Sequence, residues 1–309
     1  MTSQPDPTYI VYAPPFDIDN GGSIFLHRLV HELVAIGEQA FVYPGDFQNP
    51  LGIKAKIRHS WTKATKGEKK QRKNFDTSPH LNTPVWDTNQ LPENAIVVYT
   101  EFIPGNPLGA ENVARWLMFR TGYLGRPTEF SPDEVFFKAS DFSDDPSISG
   151  GAQLLQLFWT NPCYRDLGEK DRSGSCYMMR KRADEGIEHP IVESLNVEEL
   201  PHEELAKVFN RCETFYCYDD ATMYSQYAAL CGCDSIVIPW HYESREEWAR
   251  ARPIARYGVA YGVDDVDHAR QTRHLLAADL KRLEAEGRES VRAFVRTTRD
   301  RFGFRPAND

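Results

Sequence analysis

A strand, a glycine pair, an amphipathic helix and a second strand follow one another within the first 45 residues. The apolar run TYIVYAPP covers residues 8–15, and the run QAFVYPG covers residues 39–45. Between them, SIFLHRLVHELVAIG repeats apolar residues at helical spacing from Ser23 and stops at Gly37. A short strand–helix–strand unit joins parallel strands through a right-handed crossover. This unit therefore predicts a parallel sheet in the N-terminal part of the chain.

The alternation of strands and helices continues and predicts an α/β protein with two Rossmann-like domains, residues 1–162 and 163–309. A length of 309 residues with 41% hydrophobic residues suffices for two cores. Further strands are predicted at residues 95–101, 134–140, 152–159, 176–180, 190–194, 214–219 and 235–240. Helices are predicted at residues 202–212, 222–233 and 264–302, the last broken near Gly287.

Hydropathy predicts the compartment of the protein, and cysteine spacing predicts the state of its thiols. No apolar run approaches the roughly 20 residues of a membrane span, and the N-terminus does not resemble a signal peptide, so we expect a cytoplasmic protein. The six cysteines have C-x-C and C-x4-C spacings that match zinc sites poorly. We expect reduced structural thiols and no metal site.

One segment of the chain is strongly basic. Residues 54–73 carry nine Lys or Arg and a single Glu, in a chain whose net charge is −9. Such a run is most often a solvated loop, and the alternative is contact with an anionic membrane surface or a phosphate-bearing acceptor. Nucleic acid is not expected as a partner, because the acidic remainder repels a polyanion and spaced aromatic residues are missing from the run.

The glycine pair predicts a ligand site or a simple turn. Gly21 and Gly22 lead into a helix predicted to begin at Ser23, which leaves unpaired backbone N–H groups at the positive end of the helix dipole. An anion or a sugar can approach such a loop closely. The G-x-G-x-x-G and P-loop fingerprints are both absent, so a turn followed by a capped helix remains the alternative.

The neighbouring acidic and histidine residues fit metal motifs poorly. Asp17 and Asp19 resemble a D-x-D metal motif, but they follow the first strand of a strand–helix–strand unit. His27 and His31 share one helical face without the H-E-x-x-H pattern or an evident third ligand. We therefore expect surface or interdomain histidines, with contact to substrate as the alternative.

A second candidate site lies in residues 215–240. A strand ends at Tyr218, Asp219 and Asp220 follow, and Thr222 is predicted in the first turn of the next helix. Open α/β sheets bind phosphates and sugar hydroxyls at such strand ends. A helix cap explains the same residues equally well.

These two segments resemble GT-B glycosyltransferases. Residues 215–240 are similar to the donor-site segment of that family, and the glycine pair resembles its glycine loop. Residues 97–122 resemble a segment of bacterial polysaccharide and O-antigen glycosyltransferases. The resemblance covers roughly residues 8 to 262, and its motifs are specific together but weak singly.

The resemblance implies two Rossmann-like domains facing each other across a cleft, with C-terminal helices packing back on the first domain. The N-terminal domain is expected to bind a glycan or lipid-linked glycan acceptor, and the C-terminal domain a nucleotide-sugar donor. Transfer of the sugar is expected to need neither metal nor cofactor, because Arg, Lys and helix N-termini stabilise the departing diphosphate. The residues matched to donor binding are Gly21, Gly22, Ser23, Arg180, Lys181, Asp219, Asp220, Thr222 and Ser225.

The stereochemistry and the catalytic base stay open at this point. The E-x7-E pair of the retaining branch is missing, and an inverting enzyme needs a base near the acceptor. The base candidates are Asp17, Asp19, His27 and Glu101. A sugar-nucleotide epimerase of the same fold and a non-catalytic sugar- or nucleotide-binding protein are the alternatives. A dinucleotide-dependent oxidoreductase is disfavoured by the missing glycine fingerprint.

Overall fold

The computed structural model describes residues 6–45, 75–122 and 130–306. The basic run at residues 54–73 lies outside the described residues. The chain divides into two compact units, of which unit 1 comprises Met1–Trp159 with Glu284–Asp309 and unit 2 comprises Thr160–Leu283. The predicted arrangement of the two domains about a cleft stays a prediction.

Unit 1 contains a six-stranded sheet in the order β2-β1-β3-β4-β5-β6, and all of its strand pairs are parallel. The parallel sheet predicted from the first strand–helix–strand unit is therefore confirmed. The strands are β1 Thr8–Ala13, β2 Gln39–Pro44, β3 Ala95–Thr100, β4 Asn112–Leu117, β5 Val135–Lys138 and β6 Gln153–Leu154. Helices α1 Gly21–Ala35 and α2 Pro146–Ser149 follow β1 and β5.

Unit 2 contains a five-stranded parallel sheet in the order β11-β10-β9-β7-β8. The strands are β7 Ser175–Met178, β8 Leu195–Asn196, β9 Thr214–Cys217, β10 Asp234–Val237 and β11 Val259–Tyr261. The helices are α3 His202–Arg211, α4 Tyr224–Leu230 and α5 Arg245–Ala251, and the long helix α6 Val266–Arg301 begins in unit 2 and ends in unit 1. The chain is thus an α/β protein with two parallel sheets, as predicted.

The central strands of unit 1 are buried on both faces of the sheet. Every residue of β1 and β3 is buried, which explains why these strands read as continuous apolar runs. Tyr9 and Val11 face the cluster that contains Leu29 of α1, while Ile10 packs with Val97 in the cluster on the opposite face. Alternate residues of one strand therefore serve two cores.

Helix α6 is continuous, so the predicted break near Gly287 is wrong. Gly287 lies inside the helix, where a Cβ atom would sit 3.1 Å from the Gln156 carbonyl oxygen and 3.5 Å from the Leu157 Cα. The glycine therefore permits a close approach of the helix to residues 156–157. Val291 and Phe294 further along α6 are fully buried in the core of unit 1, which confirms that the C-terminal helical segment packs on the first unit.

The structure contains elements that the periodicity did not predict. β4, α5 and β11 were not predicted, and the strand predicted at residues 190–194 is replaced by β8. β4 carries the fully buried Arg115 in an otherwise apolar run, so its pattern does not read as a core strand. Residues 190–194 begin with a proline, and Val192 in this segment is 97% exposed. The strand predicted at 152–159 shortens to β6.

All six cysteines are free, and five of them are buried, which agrees with the predicted structural thiols. None of the helices within the described ranges is both long enough and apolar enough to cross a membrane.

Candidate functional site

The strand orders define where each sheet can hold a ligand. In both sheets the first strand of the unit lies between the second and the third, so the order reverses between β1 and β3 and between β7 and β9. Open parallel sheets bind ligands beyond the carboxyl ends of their strands at such a reversal. The predicted residues of unit 1 follow β1 and β3, and those of unit 2 follow β7 and β9. Both predicted sites therefore lie at a switch point of their own sheet.

The glycine loop of unit 1 is closed by an internal cap. Helix α1 begins at Gly21, and its N-cap is Asn20. The amides of Gly22 and Ser23 donate to Asn20 Oδ1 at 2.9 and 3.2 Å. The expectation of unpaired amides is wrong for these two groups, because a side chain of the loop satisfies them. A phosphate at this end would have to displace the cap.

Ser23 holds the loop that follows β1. Its buried Oγ donates to the Pro15 carbonyl oxygen at 3.0 Å and accepts from the Asp17 amide at 2.9 Å. Asp17 Oδ1 in turn accepts from the Asp19 amide at 3.0 Å, and both aspartates are exposed. Ser23 therefore shapes the loop, while the two carboxylates lie at its surface.

His27 is enclosed by the same loop. Its Nε2 lies 3.0 Å from the Pro14 carbonyl oxygen, and its ring contacts the ring of Phe16 edge-on and stacks on Phe75. The side chain is completely buried, so the expectation of a surface histidine is wrong for His27. Burial also lowers the pKa of the imidazole. This geometry favours a structural role for His27 over the predicted role as base.

Glu101 joins the carboxyl ends of two neighbouring strands. Its two carboxylate oxygens accept from the amides of Met118 and Phe119, each at 2.8 Å, directly after β4. Burial raises the pKa of Glu101 to about 7, although both hydrogen bonds favour the charged form. A carboxyl group that titrates near neutral pH at a switch point has the acidity of a general base.

Sequence reasoning missed the ion pair that supports this edge. Arg115 is fully buried and forms a bidentate pair with Glu134, with distances of 2.7 and 3.0 Å. The same guanidinium donates to the carbonyl oxygens of Thr100, Ile103 and Gly105. It thereby holds the loop that carries Glu101. A single arginine among apolar strand residues was the available signal.

In unit 2, Arg180 turns the chain sharply after β7. Its φ is 52°, a left-handed value that non-glycine residues rarely adopt, and it follows Met179 in the right-handed helical region. Such a pair of conformations points successive amides at one spot, which is an anion-binding nest. Here the amides of Met179 and Arg180 donate to Glu198 Oε2 at 2.9 and 3.0 Å. The Arg180 guanidinium lies over the Tyr224 ring, 4.9 Å from its centroid.

The two residues after Arg180 connect β7 to the neighbouring loops. Lys181 Nζ lies 3.4 Å from a carboxylate oxygen of the buried Asp219, which follows β9. Asp219 also accepts from the Ala221 amide at 2.9 Å. The Arg182 guanidinium lies 5.3 Å from the Trp240 ring centroid, beyond β10. Three consecutive cations therefore face the carboxyl ends of this sheet.

Asp220 has a partner that the sequence analysis did not identify. Its carboxylate accepts from the backbone amide of His241 and lies 2.8 Å from the His241 Nδ1. Asp220 is 1% exposed, whereas the His241 side chain is 51% exposed. The position of His241, just beyond the end of the predicted strand at residues 235–240, was a usable signal for it.

Thr222 and Ser225 differ in how they face the site. Helix α4 begins at Tyr224, so Thr222 precedes the first turn in which it was predicted. Thr222 Oγ1 lies 3.4 Å from the Tyr224 amide nitrogen, which is a long distance for a cap. Ser225 is buried and donates to Gln226 Oε1 at 3.1 Å. Thr222 is thus the more accessible of the two hydroxyls.

The described residues were predicted to hold no metal site. No cluster of three or more His, Cys, Asp or Glu side chains that could hold a metal ion occurs in the described ranges 6–45, 75–122 and 130–306. The base candidates of unit 1 and the cations of unit 2 are each organised by hydrogen bonds within their own unit.

Comparison with known proteins gives fold-level similarity at low identity. No family model matches this chain. No curated protein matches it either. A glycotransferase of kitacinnamycin is 13% identical, with 96% of this chain and 98% of that chain covered and a TM-score of 0.37. T4 phage BGT, solved with UDP and Mn2+, is 9% identical, with 94% and 99% covered and a TM-score of 0.43.

A further solved structure, the DNA-modifying enzyme beta-glucosyltransferase with and without uridine diphosphoglucose, is 9% identical. It covers 95% of this chain and 96% of its own, with a TM-score of 0.38. Because all these TM-scores lie below 0.5, the similarities establish no activity for this chain. The site geometry described above has to carry the functional conclusion.

Proposed function

We propose that this protein is a glycosyltransferase that moves a sugar from a nucleoside-diphosphate sugar to a hydroxyl group. One observation carries the proposal. At the switch point of unit 2, Lys181 and Arg180 follow β7 and face the loop after β9, with the Lys181 Nζ 3.4 Å from Asp219. Switch points of this kind bind nucleotides, and the cations have the charge that a diphosphate requires.

The charge that develops during sugar transfer explains why these cations matter. Breaking the bond between the anomeric carbon and the phosphate oxygen leaves the electron pair, and hence negative charge, on the diphosphate. Preorganised cations that stabilise this charge lower the barrier of the reaction. Arg180 is held in place by Glu198, which accepts from its amide at 3.0 Å and lies 3.5 Å from its guanidinium, and by the Tyr224 ring. The Lys181 side chain is 59% exposed, and its Nζ lies 3.4 and 3.5 Å from the two carboxylate oxygens of Asp219, which are long distances for an ion pair.

Unit 1 is proposed to bind the acceptor and to supply the base. Glu101, with a pKa of about 7, is the best placed candidate by acidity, and the exposed Asp17 and Asp19 remain alternatives. The acceptor is proposed to be a glycan or a lipid-linked glycan of a bacterial polysaccharide, with residues 54–73 against an anionic membrane surface. A cytoplasmic site and a metal-independent mechanism are parts of the same proposal.

A donor panel tests this function directly. Thermal stabilisation and calorimetric titration with UDP, GDP, dTDP and CMP sugars, with NAD as a control, are expected to single out one nucleotide. Arg180→Ala and Lys181→Ala should each weaken that binding about ten- to a hundredfold, because a charge-assisted contact is worth about 1.5–3 kcal/mol. Lys207→Ala is the matched control, since Lys181 and Lys207 are equally exposed at 59% and each pairs with one carboxylate.

The outcomes separate transfer from the alternatives. Donor binding followed by sugar transfer to an added glycan supports the proposal. Conversion of the nucleotide sugar without any acceptor would indicate an epimerase, and binding without turnover across acceptors would indicate a binding protein. If no sugar nucleotide binds at millimolar concentration, the proposed function is wrong.

A further inference from the structure

The buried Asp220 and the half-exposed His241 form a pair, and only Asp220 is among the residues matched to donor binding. Both carboxylate oxygens of Asp220 are directed at one residue, with Oδ2 2.8 Å from the His241 amide nitrogen and Oδ1 2.8 Å from the His241 Nδ1. The Trp248 indole donates to the Asp220 backbone carbonyl oxygen at 2.8 Å, which holds the backbone of the aspartate. The carboxylate therefore has one orientation.

That orientation decides the chemistry of the imidazole. A carboxylate can only accept, so His241 Nδ1 carries the proton of the hydrogen bond to Asp220. Nε2 is then the ring atom that can contact a ligand. The ring is half exposed, and it packs against Trp240 with centroids 3.7 Å apart. Among the described residues, no hydrogen-bond partner is found for His241 Nε2.

We propose that His241 Nε2 is a hydrogen-bond donor to a phosphate group of the ligand, with Asp220 as its positioning residue, and that protonation of His241 tightens this contact. This inference rests on the proposed function for the identity of the ligand. The pair lies beyond β10, next to the loop after β9, so the phosphate would lie between His241 and the cations Arg180 and Lys181.

Several ionisable groups surround the pair. Burial raises the pKa of the Tyr242 and Tyr261 hydroxyls, so both stay neutral. Arginines and lysines stay charged in this range. Charged groups from each neighbouring element are Lys181 and Arg182 after β7, Asp219 and Asp220 after β9, and Glu247 and Arg252 of α5 and its C-cap.

Pyrophosphate is the probe that tests the pair without assuming the nucleotide. Binding to the full-length protein and to His241→Gln is measured by calorimetry at pH 6 and pH 8. The wild type is expected to bind about tenfold more tightly at pH 6 relative to the variant, and to lose most of that advantage at pH 8. Comparing two proteins at the same pH cancels the titration of pyrophosphate itself. His274→Gln, an exposed histidine of α6, is the control.

Asp220→Asn tests the positioning role. Asparagine can still accept from Nδ1 but carries no charge, so the pH midpoint of pyrophosphate binding should move to lower pH. A merely structural role would weaken binding equally at both pH values. If this variant does not fold, the proton NMR titration of the His241 ring in the wild type replaces it, with His241→Gln to assign the signal. Pyrophosphate is then expected to raise the midpoint of that signal.

The outcomes distinguish this inference from the proposed function. Equal pyrophosphate affinity and equal pH dependence in wild type and His241→Gln overturn the role of the pair, even if a donor sugar binds. A pH-dependent advantage of the wild type supports it, even if every sugar nucleotide fails. No binding of pyrophosphate at any pH overturns it as well.

Discussion

Arg288 of α6 donates from Nε to Glu32 Oε2 of α1 at 2.6 Å, and Glu32 is completely buried. The other oxygen of Glu32 lies 2.6 Å from Arg28 Nη2. One buried carboxylate thus holds two guanidinium groups that lie 260 residues apart along the chain. This ion pair connects the C-terminal part of α6 to α1.

We expect Glu32→Ala to destabilise the protein by about 3–5 kcal/mol, because it leaves two guanidinium groups without their buried counter-charge. Urea unfolding followed by circular dichroism measures the loss. Glu289→Ala is the control, since Glu289 is 70% exposed and pairs with Arg292 on the surface of α6. The control should change stability by less than about 0.5 kcal/mol. Equal effects of the two changes would contradict this account.

Gly287→Ala should destabilise the protein by about 1–3 kcal/mol, although alanine is the better helix former. The added Cβ atom meets the Gln156 carbonyl oxygen at 3.1 Å, and that backbone is held by Ser290. Ala285→Gly, at an exposed position of the same helix, isolates helix propensity and should cost about 1 kcal/mol. A melting temperature raised by Gly287→Ala would show that the close approach imposes no constraint.

Asn20→Ala is expected to cost about 1 kcal/mol, because the amides of Gly22 and Ser23 lose their acceptor. Asn20→Asp keeps the cap, so its stability should remain close to that of the wild type. The aspartate also adds a negative charge at the N-terminus of α1. This helix end was predicted to bind the donor, so the added charge should repel the donor phosphates. Weaker donor binding by Asn20→Asp at unchanged stability would support that prediction, and unchanged binding would contradict it.

Glu101 is expected to make stability depend on pH. Its pKa is raised to about 7, so the folded state holds a proton that the unfolded state releases at lower pH. This contribution is complete below the unfolded pKa and is lost as pH rises through 7. A pKa unit corresponds to about 1.4 kcal/mol, so the wild type should lose up to about 3 kcal/mol between pH 5 and pH 8.

Glu101→Gln removes this titration and should flatten the pH dependence of the free energy of unfolding. Urea unfolding at pH 5, 6, 7 and 8 compares the two proteins. Glu93→Gln, outside the hydrogen-bonded edge formed by Glu101, Met118 and Phe119, is a control that should keep the wild-type slope. If Glu101→Gln also keeps that slope, another group is responsible for it.

Local patterns in the sequence were enough to predict most strands and helices and the α/β class. Apolar runs such as residues 8–15 form buried parallel strands because both sheet faces are covered, and helical spacing in residues 23–37 gives α1 one apolar face. Carboxyl ends of parallel strands share one edge of a sheet, so the positions of Glu101, Arg180 and Asp219 at the ends of predicted strands also followed from the sequence.

Tertiary structure decided how the polar groups pair. Whether the amides of the glycine pair are open depends on the rotamer of Asn20, and whether Arg115 can enter a strand depends on Glu134, which lies 19 residues away. The partner of Asp220 is His241, 21 residues further along the chain. Periodicity records which face of an element is apolar, whereas the pairings of Arg115 and Asp220 arise only when residues distant in sequence meet at the same sheet edge. The sequence therefore determined the strands and helices and which polar residues lie at the carboxyl ends of the strands. The fold determined which of those charged groups are paired with each other and which can contact a ligand.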